Sequence, residues 1–204
     1  MFASRLPLAE EFAYRLATHA VVRGLIGPRE VPRIWDRHMM NSAVVAPSLP
    51  NGATVADIGT GAGLPGLVSA IARPDIQMTL VEPLLRRTSF LDEVVRDLQL
   101  DNVEVVRARA EEVNQTFDVV TARAVAALDK LGRWCMPLVR PGGVLLAMKG
   151  RTAADEIAAA TATLHRLGRH VYRGEDVRER RGPHDCRRGV QVKRVSRETM
   201  KGIA

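Results

Sequence analysis

The chain has 204 residues, 46% of them apolar and 26% charged, which suits one domain with an ordinary core and excludes a disordered or collagen-like chain. Its 30 Lys and Arg against 23 Asp and Glu give +7, and the surplus is local: residues 1–165 hold 18 basic and 18 acidic side chains, residues 166–204 hold 12 and 5. A basic tail on a neutral body points to an anionic partner, nucleic acid before a membrane surface, with a solubilising tail as the alternative.

In chain order, Leu8, Phe12, Leu16 and Ala20 form one helical stripe, which Gly24, Gly27 and Pro28 end. A second helical stretch is expected after Pro32, through Ile34, Met39 and Val44, stopping near Pro47 and Pro50. Thr54 to Ile58 is a short strand leading into Gly59-Thr60-Gly61-Ala62-Gly63, and Leu67, Val68 and Ile71 continue on a helix closed by Arg73-Pro74-Asp75. Ile76 to Val81 is a second strand, followed by Glu82-Pro83 and a helix carrying Phe90, Leu91, Val94, Val95 and Leu98. Further strands are expected at Val103 to Val106, Phe117 to Thr121 and, after a Pro141-Gly142-Gly143 turn, Val144 to Met148. Helices are expected within Val125 to Val139 and over Ala153 to Leu167, and late strands near His170 to Tyr172 and Val190 to Val195 flank an Arg-rich loop.

Strands alternating with helices imply right-handed βαβ units and a mainly parallel sheet covered on both faces. The expected layout is a helical extension over residues 1–50 and an α/β domain over 51–204 with a basic C-terminal edge, together one unit and a monomer. Two cysteines, Cys135 and Cys186, argue against a disulfide framework or a four-cysteine zinc site, and His19, His165, His170 and His184 lack metal-ligand spacing, so no metal is expected. No apolar run approaches membrane-spanning length, and Glu10 and Glu11 interrupt the only stretch resembling a signal peptide, so a cytoplasmic protein without a membrane partner is expected.

The glycine loop lets a ligand approach the backbone closely, and Gly61-Ala62-Gly63-Leu64-Pro65-Gly66 satisfies the dinucleotide pattern literally. Two details favour S-adenosylmethionine over NAD. Asp57, two residues before the first glycine, opposes a pyrophosphate but suits an ammonium or sulfonium group, and Pro65 removes an amide donor from a phosphate cradle. Glu82, ending the second strand, can accept hydrogen bonds from a ribose diol in either cofactor. Arg109-Ala110-Glu111-Glu112 stands where an adenine edge can be read by backbone groups.

Asp57 to Gly66, Glu82, Ala110-Glu111, Thr121-Ala122-Arg123-Ala124 and Met148-Lys149-Gly150, in that order, resemble the bacterial 16S rRNA guanine-N-7 methyltransferase family, RsmG, formerly called glucose-inhibited division protein B. Arg37-His38 and Asn41-Ser42 match that family's N-terminal signature, although Gly24-Leu25-Ile26 replaces its usual Asn-Leu-Thr. The resemblance implies a class I S-adenosylmethionine-dependent methyltransferase, Rossmann-like, with a mainly parallel seven-stranded sheet and an N-terminal helical extension. It also implies S-adenosylmethionine as methyl donor and 16S rRNA or the small ribosomal subunit as partner, with guanine 527 as acceptor. The implied cofactor residues are Asp57, Gly59, Thr60, Gly61, Gly63, Leu64, Glu82, Pro83, Ala110, Glu111 and Arg123. Arg123, Lys149 and His38 are expected beside the reacting guanine.

Absent motifs narrow the reaction. Thr121-Ala122-Arg123-Ala124 stands where exocyclic-amine methyltransferases carry Asn/Asp-Pro-Pro-aromatic, and neither Cys135 nor Cys186 has the setting of a nucleophile. Guanine N7 has an in-plane lone pair and no proton, so direct displacement needs no general base, and alignment supplies about 7–11 kcal/mol in favourable cases. Arg37, Arg180, Arg181, Arg187 and Arg188 are the expected RNA contacts, helped by Arg178, Lys193 and Arg194. With aromatics at 4%, RNA shape rather than base stacking is the expected basis of recognition. The competing readings are a class I methyltransferase acting on a protein or small molecule, a nucleotide-binding dehydrogenase, and a non-catalytic RNA-binding protein.

Overall fold

The apolar runs after residue 53 become five parallel strands: β1 (Thr54–Ile58), β2 (Gln77–Val81), β3 (Val103–Val106), β4 (Phe117–Arg123) and β5 (Val139–Lys149). They come from a computed structural model that describes residues 2–150, 153–166, 169–173 and 188–194. Two late strands, β6 (Arg169–Arg173) and β7 (Arg188–Arg194), extend the sheet, with β7 antiparallel to both β5 and β6. The order is β3-β2-β1-β4-β5-β7-β6.

The central strands are apolar throughout because both of their faces are covered. Val55, Met78, Leu80, Val119 and Leu146 join one core, while Ala56, Val81, Val120, Leu145 and Ala147 join the other. This alternation of neighbours is the two-residue period of a pleated strand. The first core is sealed by α3 (Gly66–Ala72), α4 (Leu85–Asp97) and the N-terminal helices; the second by α5 (Leu128–Cys135) and α6 (Ala153–Arg166).

The N-terminal stripe forms α1 (Leu6–Arg15), which buries Phe12 and passes into a wider helical turn over Leu16–Ala20. Phe12 and Leu16 pack in the same core as Leu67, Ile71 and Phe90, so the extension covers the sheet's first face. The next segment departs from the expected regular helix. Pro28–Arg33 is a 3₁₀ stretch, Ile34–Met40 is wound with π-type bonds, and α2 (Asn41–Ala43) is a single short turn. Pro32 lies inside the first of these, where its missing N–H interrupts regular helical bonding.

β5 begins five residues earlier than expected, at Val139. Pro141-Gly142-Gly143 is not a turn between elements but a bulge inside the strand: Phe117 pairs with Val139, and Val119 with Val144. Gly143 is required there, because a Cβ would lie 2.6 Å from the Asp118 carbonyl oxygen.

Strand order reverses between β1 and β4, which makes the crevice at their C-terminal ends the place where such sheets hold ligands. The glycine loop leaves β1 there, and Arg123 ends β4 beside it.

Candidate active site

Asp57, the penultimate residue of β1, is completely buried beneath the glycine loop. Its Oδ2 accepts from the Thr60 hydroxyl at 2.6 Å and from the Gly66 amide at 2.8 Å, and its Oδ1 accepts from the Thr121 hydroxyl at 3.1 Å. Burial raises its pKa from 3.8 to about 6, against the opposing pull of these donors and the Arg123 charge. The carboxylate thus ties the loop to the first turn of α3 and to β4. Gly66 is confined by the same contact, since a Cβ would meet Leu80 at 2.3 Å and the Asp57 carboxylate at 2.8 Å.

Glu82 follows β2 and is also buried. Its carboxylate accepts from the Gly61 amide at 3.1 Å and the Leu84 amide at 3.2 Å, and pairs with Arg87 at 3.2 Å. The loop is therefore held from two sides by two carboxylates, one on β1 and one just past β2. Gly59 adopts φ +65° within it, and a Cβ there would lie 3.0 Å from Val125, so this turn requires glycine.

Two cavities open on the loop. One, of about 470 Å³, runs past Glu82, Pro83, Ala110, Glu111, Val125 and Trp134. The other, of about 320 Å³, runs past Thr60, Gly61, Leu64, Glu30, His38 and Arg123. Both are lined by Gly59, Arg87 and Ala124, which makes them two arms of one crevice. Ala124 holds a left-handed φ of +58°, a costly conformation for a residue with a Cβ and one that recurs at ligand sites.

The second arm is roofed by the N-terminal extension. The Arg123 guanidinium donates to His38 Nδ1 at 3.1 Å and to the Ser42 hydroxyl at 3.2 Å. His38 Nε2 lies 3.0 Å from Glu30, whose other oxygen accepts from Arg37 at 3.0 Å. Burial first, and the Arg123 charge second, hold the His38 pKa below 6.5, so the ring is neutral at pH 7. Of the site residues expected in the extension, His38 stands in the same cavity as Arg123, and Arg37 reaches it through Glu30.

Lys149 is placed differently from Arg123. Its ammonium is buried, bonded to the Ala126 carbonyl and 2.8 Å from Glu156, and it lines neither cavity. Glu156 also accepts from the Leu128 amide at 3.1 Å, so Lys149 clamps α6 to the start of α5. Cys135 is buried and its thiol is pushed up to about 12, which suits a core residue. Among the described residues no group of His, Cys, Asp or Glu is arranged to hold a metal, and no helix is long and apolar enough to cross a membrane. Arg178, Arg180, Arg181, Cys186 and Arg187 lie outside the described residues; Arg188 opens β7, in register with Lys149.

Glu30, Arg87, Val125 and Trp134 are among the lining residues that sequence reasoning missed. Arg87 had a usable signal, because a cation five residues after a strand-end acid, one turn into the next helix, is within reach of it. Glu30 had none at regular helical spacing.

The crevice suits an adenosyl cofactor by its own chemistry. It offers a buried carboxylate at one strand end, a backbone that glycine keeps open, and an apolar arm of ordinary ligand size. A sequence model of the family described as rRNA small subunit methyltransferase G matches residues 5–181. The ribosomal RNA small subunit methyltransferase G of Nocardioides sp. is 63% identical over 171 residues, covering 82% of this chain and 68% of that protein. The protein of that name from Salinispora tropica is 58% identical over 177 residues, covering 82% and 73%. Among solved structures, M. jannaschii TYW2 in complex with AdoMet shares the fold at a TM-score of 0.58 and 16% identity, over 79% of this chain and 78% of that one. The chain belongs to the rRNA small subunit methyltransferase G family.

Proposed function

We propose that the protein transfers a methyl group from S-adenosylmethionine to ring nitrogen 7 of a guanine in 16S rRNA, guanine 527 by family resemblance. The observation that carries it is the pair of joined cavities: an arm with a buried acceptor, Glu82, meets an arm lined by a cation, Arg123, at the glycine loop. Support for the substrate comes from the curated relatives, which are named for ribosomal RNA of the small subunit.

When bound, S-adenosylmethionine supplies a methyl group on a positively charged sulfur. Glu82 would hold the adenosine end, Gly59 keeps the backbone beside it open, and Val125 and Trp134 give that arm its apolar wall. Asp57 stiffens the loop from below and adds negative potential near a cationic ligand. Arg123, fixed at the end of β4, attracts the electron-rich edge of a purine and orients it. A direct bond from Arg123 to nitrogen 7 would occupy the reacting lone pair, so its partner is the neighbouring O6 or a phosphate. No proton leaves nitrogen 7, and no side chain is needed to take one. Arg37 and the late arginines, Arg180, Arg181, Arg187 and Arg188, hold the surrounding RNA by its phosphates.

Purified protein, labelled S-adenosylmethionine and small-subunit RNA from cells lacking the modification form the test. Label is expected in RNA, and calorimetry is expected to show binding of S-adenosylmethionine but not NAD. Label confined to protein or small molecules, or binding of NAD alone, overturns the proposal.

A further inference from the structure

Glu30 carries no recognised motif, yet it sits where the extension meets the glycine loop. It lies on the 3₁₀ stretch Pro28–Arg33 and lines the same cavity as Arg123. Its two carboxylate oxygens are divided, Oε1 to Arg37 and Oε2 to His38, each at 3.0 Å.

The hydrogen-bond inventory of these groups fixes the state of the ring between them. A guanidinium only donates, so His38 Nδ1, 3.1 Å from Arg123, must carry a lone pair. An ionised carboxylate only accepts, so His38 Nε2 must carry the proton that Glu30 receives. A neutral Nε2–H imidazole satisfies both partners at once. The imidazolium would set an N–H against the Arg123 N–H, and the opposite tautomer would leave a lone pair facing a carboxylate. Both ring nitrogens are thus committed, and the ring is a strut rather than an acid or base.

We infer that Glu30 is a positioning residue for methyl transfer: it locks His38 in the Nε2–H tautomer, and His38 in turn holds the Arg123 guanidinium at the acceptor side of the crevice. This goes beyond the assignment of Arg123 and His38 to the site, and its activity arm rests on the proposed methyl transfer. Without Glu30 the ring is free to invert its tautomer or rotate, and Arg123 loses one of the contacts that aim it. Misplacement of a binding group by about 1 Å costs on the order of a hundredfold in favourable cases.

The test compares full-length wild type, Glu30→Ala and Glu30→Gln. Gln keeps an oxygen that accepts from Nε2–H, so it separates hydrogen bonding from mere side-chain bulk. Long-range nitrogen NMR of the His38 ring reads the tautomer without any cofactor. The wild type is expected as Nε2–H, and Glu30→Ala as a mixture. In methyl transfer to small-subunit RNA, Glu30→Ala is expected to lower kcat about tenfold or more, with S-adenosylmethionine affinity within about twofold and Glu30→Gln recovering most of the loss. A wild-type ring found as Nδ1–H or imidazolium at neutral pH overturns the inference, as does an Ala variant with unchanged kcat or a Gln variant as impaired as Ala. If the wild type itself methylates no small-subunit RNA, the proposed function falls and the tautomer measurement alone decides the role of Glu30.

Discussion

His38 Nδ1 and the Arg123 guanidinium meet at 3.1 Å across 85 residues of chain, joining the N-terminal extension to the end of β4. That contact makes the extension part of the site rather than an appendage to it. His38→Ala removes a support for Arg123 and leaves the sheet untouched. Methyl transfer is expected to fall by about ten- to a hundredfold, with cofactor affinity little changed. Steady-state kinetics alongside calorimetric titration checks this, and a parallel loss of cofactor affinity would contradict it.

Asp57 gives the site a pH signature. Its pKa rises from 3.8 in the unfolded chain to about 6 in the folded one, so the native state binds the proton more tightly. Stability should therefore fall as pH rises from 3.8 to about 6, by about 3 kcal/mol from this group alone. A cationic ligand near the loop favours the ionised form, so binding should expel the proton. S-adenosylmethionine affinity is expected to climb as pH rises from about 5 to about 7. Calorimetry in buffers of different ionisation enthalpy reads the proton release directly, and Asp57→Asn should abolish it.

Gly66→Ala tests the packing beneath the loop. The new Cβ would stand 2.3 Å from a Leu80 methyl, which can turn aside, and 2.8 Å from the Asp57 carboxylate, which three donors hold in place. A loss of about 1–3 kcal/mol is expected, together with weaker cofactor binding. Gly150→Ala, where a Cβ meets nothing within 4 Å, is the comparison and should be near neutral. Denaturant unfolding of both variants decides it.

Lys149 is expected to act on stability before activity. Lys149→Ala strips the Ala126 carbonyl of its buried donor and Glu156 of a cation, at a cost of about 1–3 kcal/mol. Its effect on cofactor affinity should be far smaller than that of Asp57→Ala. Thermal melts with parallel titrations check this; equal losses of affinity would place Lys149 at the cofactor after all.

Much of this was legible in the chain because it is written locally. The strand and glycine-loop pattern from Thr54 to Gly66 follows from apolar run, turn chemistry and helix start, all within thirteen consecutive residues. Arg123 was legible from the Thr121-Ala122-Arg123-Ala124 motif, just past an expected strand. Glu30 was not, because the segment carrying it abandons the 3.6-residue period: Pro28–Arg33 is wound as 3₁₀ with Pro32 inside it, and π-type bonds follow through Met40. Lys149 shows the converse. Its place in the Met148-Lys149-Gly150 motif suggested the pocket, but Glu156 on a later helix and the Ala126 carbonyl claim its charge, and neither pairing is local in sequence. The Pro141-Gly142-Gly143 bulge likewise depends on Asp118 of the neighbouring strand.

The measurement that bears most directly on the account is nucleoside mass spectrometry of 16S rRNA, with position mapping, from cells with and without this protein and after treatment of the unmodified RNA with purified enzyme. One N7-methylguanine is expected, absent without the protein and restored by it. Unchanged rRNA, or a methyl group restored on an exocyclic amine or a pyrimidine carbon, would contradict the account.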